Sequence, residues 1–170
     1  MNIITATYES PCGTLTLGSY GDRLCLCEWH TGKPNDAIHR RLRRYLRTDF
    51  SAGQSDVISH ATYLLDRYFA GKRTDLELPL LHVGTDFQLS VWRELTNIPY
   101  GTTISYAQMS QRLGHPTAMR AVANANGANA ISVFAPCHRV IGADGSLTGY
   151  GGGLAAKRFL LQLENNVSHL

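Results

Sequence analysis

The first 29 residues repeat one pattern three times, and that repetition limits the folds open to this chain. Alternating apolar and polar residues occupy 3–8, 14–19 and 23–29, separated by the turn signals Ser10-Pro11-Cys12-Gly13 and Tyr20-Gly21-Asp22. A period of two marks strands, and connections this short join strands only as hairpins, so the segment reads as an antiparallel meander. The period then lengthens. Residues 35–46 and 60–69 carry apolar side chains at helical spacing, the second run ending at Gly71. A meander followed by helices predicts a mixed α/β (α+β) fold.

Residues 75–83, with Pro79 inside them, read as an extended connection between two parts, and the boundary is placed near residues 80–86. The second part reads as helical. Residues 86–95 put Phe87, Val91, Trp92 and Leu95 on one face, and residues 105–113 form a helix with Ser105 as its N-cap. After the turn Gly114-His115-Pro116, residues 117–126 form a third helix. Two short helices about a glycine-containing turn fit a helix-turn-helix, and equally fit any helical hairpin. The third helix is rich in small residues (Ala118, Ala121, Ala123, Ala125, then Ala128) and in Asn124, Asn126 and, just beyond, Asn129; Arg120 is its only charge. Small side chains permit close approach to another surface. Residues 140–147 read as a hairpin turning at Asp144-Gly145, and residues 154–165 as a final helix. The intervening Gly149-Tyr150-Gly151-Gly152-Gly153 lacks phosphate-loop spacing. It reads as a turn, or as a wall where backbone amides meet a flat ligand.

Composition sets bounds and little more. At 170 residues, 44% hydrophobic and 17% charged, the chain can bury a core as one domain or two. The opening residues show neither a basic start nor an apolar run, and no stretch approaches the roughly 20 apolar residues of a membrane span. A cytoplasmic protein without membrane contact is therefore expected, with Cys12, Cys25, Cys27 and Cys137 as free thiols. The net charge is only +3, but the basic residues are 13 Arg and 3 Lys. Arginine makes forked contacts to phosphate and carboxylate. Arg40, Arg41, Arg43, Arg44 and Arg47 alternate with Ile38, Leu42, Tyr45 and Leu46 at helical spacing, so this cluster reads as the wet face of a helix. Cys25, Cys27 and His30 do not have a standard structural zinc spacing, and neither metal nor cofactor is expected.

The chemistry concentrates in Pro136-Cys137-His138-Arg139-Val140. A thiol is a good nucleophile only as thiolate, and an imidazole nearby can supply that activation. In extended backbone successive side chains point to opposite faces, so His138 is not expected to sit on the sulfur of Cys137. A bridging water or a locally bent backbone would have to connect them.

Ile98-Pro99-Tyr100-Gly101, Ser105-Tyr106, Arg120-Ala121-Val122, Asn129, the Cys137 pentapeptide, Gly149-Tyr150, Lys157, Leu160-Leu161 and Glu164 stand in the order and spacing of the O6-alkylguanine-DNA alkyltransferases. The chain resembles that family continuously over 86–164, and more loosely before it through the meander and Ser10-Pro11-x-Gly13. The resemblance implies a ribonuclease-H-like N-terminal domain over 1–83 and a winged-helix-like domain with a helix-turn-helix over 84–170. It implies transfer of an alkyl group from O6 of guanine in DNA to Cys137, with O4 of thymine as a lesser substrate. Cys137 would be nucleophile and acceptor, His138 the base through a water, and Glu164 the group that holds His138. Asn129 would brace the turn, and Tyr106 would donate toward guanine N3. The Gly151 amide would donate to O6, the carbonyls of Cys137 and Val140 would accept from the exocyclic amine, and Tyr150 and Ser132 would line the pocket. The base must leave the stack to react. Arg120 would fill its place while Ala121, Ala123, Asn124, Thr103 and Ser105 meet double-stranded DNA in the minor groove, largely without regard to sequence. A monomer is expected.

Two departures stand out. Asn129-Ala130 replaces the family's usual Asn-Pro, which removes a rigid element from the turn, and Ser132 stands where some relatives have proline. Two other functions remain as rivals: a lesion binder without transfer, against which Cys137 argues, and a cysteine hydrolase, which would normally bring its histidine from a distant position.

Overall fold

The computed structural model describes residues 1–31, 35–72 and 75–168. The meander forms as expected: β1 (Ile3–Ser10), β2 (Gly13–Tyr20) and β3 (Arg23–Trp29) pair antiparallel in sequence order. Gly13 and Gly21 take the positive φ values that the two tight turns require. A fourth strand, β4 (Phe50–Ala52), lies parallel to β1, so the sheet has the order β3-β2-β1-β4 and is mixed, where a purely antiparallel one was expected. Three residues are too few to show a period, which is why the sequence did not reveal it.

Strand β3 departs from the half-buried pattern. Leu24, Cys25, Leu26 and Cys27 are all fully buried, because both the faces of this strand and its free edge are covered. The extended connection adds one short parallel contact, with Leu24 N donating to Pro79 O and Leu81 N to Leu24 O. A segment from the second half adds another, described below. A covered edge offers no template for pairing with other chains.

Helix α1 (Asp36–Leu46) is capped by the Asn35 side chain, and α2 (Asp56–Phe69) by Ser55. The second begins four residues before the expected start, because the Ser55-Asp56 cap precedes its first buried apolar residue, Ile58. Helix α3 (Asp86–Leu95) opens with a reciprocal Thr85–Gln88 capping box. After β5 (Ile104–Ser105), α4 (Tyr106–Arg112) opens with the same device, from Ser105 and Gln108. Helix α5 (Met119–Gly127) follows a turn tied by buried Ser110, whose Oγ donates to His115 O and accepts from Ala118 N. Together α4, turn and α5 make the helix-turn-helix pair, packed on α3 through Trp92, whose Nε1 donates to Ala125 O at 2.8 Å.

The expected hairpin over 140–147 is not there. Its turn exists, with Gly142 N donating to Ser146 O, but β6 (Val140–Ile141) pairs parallel with β5 instead of with residues after the turn. Helix α6 (Leu154–Ser168) closes the chain. One buried cluster gathers around the sheet and α2, and another around α3, α4 and α5. Ala130, Ile131, Val133, Phe134, Ala156 and Leu160 belong to the first cluster although they come from the second half. Among the described residues no helix is long and apolar enough to cross a membrane.

Candidate active site

The segment leading to Cys137 is stitched to the sheet. Cys27 N donates to Ala130 O at 2.8 Å and Ser132 N donates to Cys27 O at 2.9 Å, so residues 130–132 extend the free edge of β3. Asn129 closes the turn from inside: its Oδ1 accepts from Ile131 N at 3.0 Å and its Nδ2 donates to Ala135 O at 2.9 Å. None of these bonds uses the Ala130 N–H, so the turn is held by them whether alanine or proline stands at that position.

Two tight bends then aim the thiol. Val133 holds a φ of 72°, an uncommon conformation for a β-branched residue, with Phe134 N bonded to Ser132 O. Pro136, at φ −78° and ψ 67°, makes an inverse γ-turn in which Cys137 N donates to Ala135 O at 2.7 Å. The positive φ of Val133 costs on the order of 1–3 kcal/mol and persists only where the surroundings enforce it. Cys137–Arg139 form a turn of 3-10 helix, so the extended backbone assumed for Cys137 and His138 is replaced by a bend.

His138 is fully buried, and its Nε2 lies 2.7 Å from Oε2 of Glu164, itself 1% exposed. A carboxylate only accepts, so Nε2 carries the proton and the lone pair is on Nδ1. That Nδ1 is buried and has no hydrogen-bond partner among the described residues. Arg139 grips the same carboxylate with a fork, Nε to Oε1 at 2.7 Å and Nη2 to Oε2 at 3.0 Å, while its Nη1 donates to Ile98 O at 2.8 Å. Tyr68, on α2, donates its hydroxyl to Glu164 Oε2 at 2.5 Å.

The electrostatics sort these groups. Burial pushes the Glu164 carboxyl up, but His138 and the Arg139 guanidinium outweigh it and hold the group well below the usual carboxylate range. Burial lowers His138 despite the pull of Glu164, with Arg139 and Lys157 adding to the lowering, so the imidazole is neutral at pH 7. Burial raises the Cys137 thiol, opposed by its hydrogen bond with Asn129 and by the charge of Lys157. The resting pair is thus thiol and neutral imidazole. Lys157 is itself fully buried and donates to Val140 O at 2.8 Å and Thr148 O at 3.0 Å.

Cys137 lies on the floor of a cleft of about 970 Å³. Tyr106, Arg120 and Ala123 line it together with Thr148, Gly149, Tyr150 and Gly151, and Thr148 Oγ1 donates to Tyr106 Oη at 3.5 Å. Asn129 and Ser132 reach the floor beside Cys137. Glu28, Trp29 and Ile38 complete the cleft from the first half of the chain. Trp29 Nε1 donates to Tyr150 Oη at 3.0 Å, and a Cβ on Gly152 would come within 2.7 Å of the Trp29 ring, so the glycine run rests on that indole. Ala121 and Asn124 are exposed on α5, and Thr103 is exposed before β5, all outside the cleft lining. Ser105 is engaged as the cap of α4, its Oγ accepting from Gln108 N. Val140 is fully buried behind the cleft, and its carbonyl already accepts from Lys157. The Cys137 carbonyl accepts from Asn126 Nδ2 at 3.3 Å.

Sequence reasoning gave no role to Arg139, Tyr68, Trp29 or Lys157. Arg139 and Lys157 lay within the matched motifs, and a cation among apolar neighbours (Val140 and Ile141 after Arg139, Ala155 and Ala156 before Lys157) is the signal that could have marked them. Tyr68 and Trp29 carry no local signal, since their partners are about a hundred residues away.

The profile described as "6-O-methylguanine DNA methyltransferase, ribonuclease-like domain" matches residues 3–81, and "6-O-methylguanine DNA methyltransferase, DNA binding domain" matches residues 86–166. The methylated-DNA–protein-cysteine methyltransferase of Mycobacterium tuberculosis is 43% identical over 160 residues, covering 94% of this chain and 91% of that protein. A namesake from Methanosarcina acetivorans is 38% identical over 161 residues, covering 95% and 97%. A crystal structure of the M. tuberculosis protein in complex with DNA superposes with a TM-score of 0.83 at 41% identity, covering 96% of this chain and 94% of that one. A chain with this fold and a buried Cys–His–Glu cluster below a helix-turn-helix falls among the alkyl-accepting DNA-repair proteins. It belongs to the 6-O-methylguanine DNA methyltransferase family.

Proposed function

We propose that this protein repairs DNA by direct reversal, moving a methyl or other alkyl group from O6 of guanine, and at lower rate from O4 of thymine, onto Cys137. The observation that carries the reading is the His138 ring. It is buried and neutral, with Nε2–H fixed on Glu164 and the Nδ1 lone pair unpaired, beside the one thiol on the floor of the cleft. His138 takes the thiol proton through a water, Sγ attacks the alkyl carbon, the carbon–O6 bond breaks, and the proton is returned to the purine, which leaves as neutral guanine. Tyr106 donates to the departing base, the Gly151 amide meets O6, and Asn129 keeps the turn closed. The second lone pairs of the Cys137 and Val140 carbonyls remain for the exocyclic amine. The thioether product has no leaving path at neutral pH, so one protein molecule repairs one lesion.

Double-stranded DNA is the partner, and α5 is the element that meets it, in the minor groove, with Ala121, Ala123 and Asn124 allowing close approach and Thr103 and Ser105 nearby. Phosphate contacts supply the affinity, so sequence matters little. Residues 1–83 and 84–170 act as scaffold and acceptor domains of a monomer working in the cytoplasm.

The experiment is an intact-mass measurement after mixing with O6-methylguanine DNA. A gain of one methyl that maps to Cys137 and saturates at one per molecule is expected. Binding without adduct would favour a lesion binder, and product beyond one equivalent a hydrolase.

Two further outcomes follow. Arg120→Ala removes the exposed cation that replaces the flipped base, so the repair rate on duplex DNA should fall about 10- to 100-fold, the equivalent of the few kcal/mol that unstacking costs. The rate on the free modified base should stay near wild type, and an equal loss on both would reject the role. Ser132 uses its N–H in the bond to Cys27, a bond that proline could not make, and it offers a bulky base less apolar contact. Inactivation by O6-benzylguanine should accordingly be weak, and potent inactivation would sink that expectation.

A further inference from the structure

The first half of the chain places one side chain in the relay itself. Tyr68 is fully buried, its ring held edge-on by Phe69 at 5.1 Å and Tyr100 at 6.1 Å. Its hydroxyl donates to Oε2 of Glu164, the same oxygen that accepts from His138 Nε2 and Arg139 Nη2. Burial and the Glu164 charge push the phenol well above its ordinary value, so it stays a donor at every pH at which the protein works.

We propose that Tyr68 is a positioning residue for alkyl transfer: by sharing a carboxylate oxygen with His138, its hydroxyl limits how far Glu164 stabilises the imidazolium and so sets the basicity of the ring. The inference rests on the reading of His138 as the base for Cys137. Hydrogen bonds to a carboxylate disperse its charge, and a cation sharing the same oxygen then gains less from it. The groups facing the His138–Glu164 pair act in both directions. Arg139 in the 3-10 turn and Lys157 on α6 disfavour the imidazolium, while Glu164 favours it. Cys137 precedes the ring in the chain, Tyr150 stands edge-on to it at 6.4 Å, and Tyr100 lies behind Tyr68. Removing the Tyr68 hydroxyl strengthens the one favourable partner, so the His138 pKa rises. Below that pKa the ring is already protonated and cannot take the thiol proton.

The test is the pH dependence of the alkyl-transfer rate for the full chain, read by intact mass on O6-methylguanine DNA, in wild type, Tyr68→Phe and Tyr8→Phe. Tyr8 is a buried phenol bonded to a different carboxylate, Asp66, at 2.7 Å, and controls for the loss of a hydroxyl. In Tyr68→Phe the midpoint of the acid limb should move up by about half to one pH unit, with the plateau at higher pH within roughly threefold of wild type. Tyr8→Phe should leave the midpoint unmoved. A uniform loss at all pH values with an unchanged midpoint in Tyr68→Phe overturns the proposal, because a packing role lowers the rate without moving a titration. If Tyr68→Phe does not fold, 3-fluorotyrosine at position 68 keeps the ring and strengthens the donor. The midpoint should then move down, and a stationary one overturns the proposal. A wild-type protein that gains no alkyl mass on Cys137 at any pH overturns this inference together with the reading beneath it.

Discussion

Replacing Cys137 with serine is expected to abolish alkyl transfer, lowering the rate by a factor on the order of 10⁵ or more, as removal of a nucleophile does elsewhere. The site gives a hydroxyl no substitute route. His138 is neutral because burial lowers it, and a neutral imidazole can accept the proton of a thiol but drives an alcohol far less well. Burial also raises the Cys137 thiol, so even the native nucleophile depends on proton removal during the reaction. The side chain is 5% exposed and packs as a small group, so the variant should fold and bind O6-methylguanine DNA within about threefold of wild type. Gel-shift titration alongside intact mass would check both halves. An adduct on the serine variant would place the acceptor elsewhere.

The largest effect on stability is expected from Arg139→Leu. Its guanidinium satisfies both oxygens of a carboxylate that is 1% exposed, and also the Ile98 carbonyl. Leucine fills the volume but leaves the charge buried with its principal cation gone, a loss of about 3–5 kcal/mol. For a chain of this length that corresponds to a Tm lower by about 10 °C. The pH dependence carries a sign. Arg139 is among the partners that hold Glu164 below its unfolded value near 4.3, so the contribution is fully present above that pH and fades as pH falls toward the folded pKa. Without Arg139 the folded pKa rises toward the unfolded one, and the acid-dependent part of stability shrinks. Thermal melts at pH 7 and pH 4 should therefore differ less in the variant than in wild type. Arg139→Lys, which keeps charge without the fork, should recover part of the loss. A leucine variant melting within 2 °C of wild type, the shift of well under about 1 kcal/mol, would reject the account.

Local signals carried much of this structure. The strands of the meander and the bounds of α3 follow from turn residues and capping side chains, which act over three or four positions. Strand β4 and the parallel partner of β6 could not be read, because parallel pairing depends on a distant strand and leaves no mark in a two- or three-residue run. In the site, the pentapeptide was legible from its residues and Glu164 through the family resemblance, while the bend at Pro136 that replaces extended backbone was not. The exchange of proline for Ala130 illustrates the limit. From the sequence it removes a rigid element, while the bonds that tie Ala130 and Ser132 to Cys27 come from a strand about a hundred residues away and leave no local mark.

That stitch also orders events during synthesis. Strand β3 leaves the ribosome some hundred residues before the segment that pairs with it, so the sheet, Trp29 and Tyr68 can be waiting when residues 130–139 emerge. Glu164 follows His138 by 26 residues, and until α6 docks Arg139 lacks this carboxylate to grip and His138 the partner that holds it. Cys137 and His138 are therefore synthesised together, and the carboxylate that orients the imidazole follows them. Until α6 docks, the proposed proton acceptor beside the thiol lacks the carboxylate that fixes its tautomer.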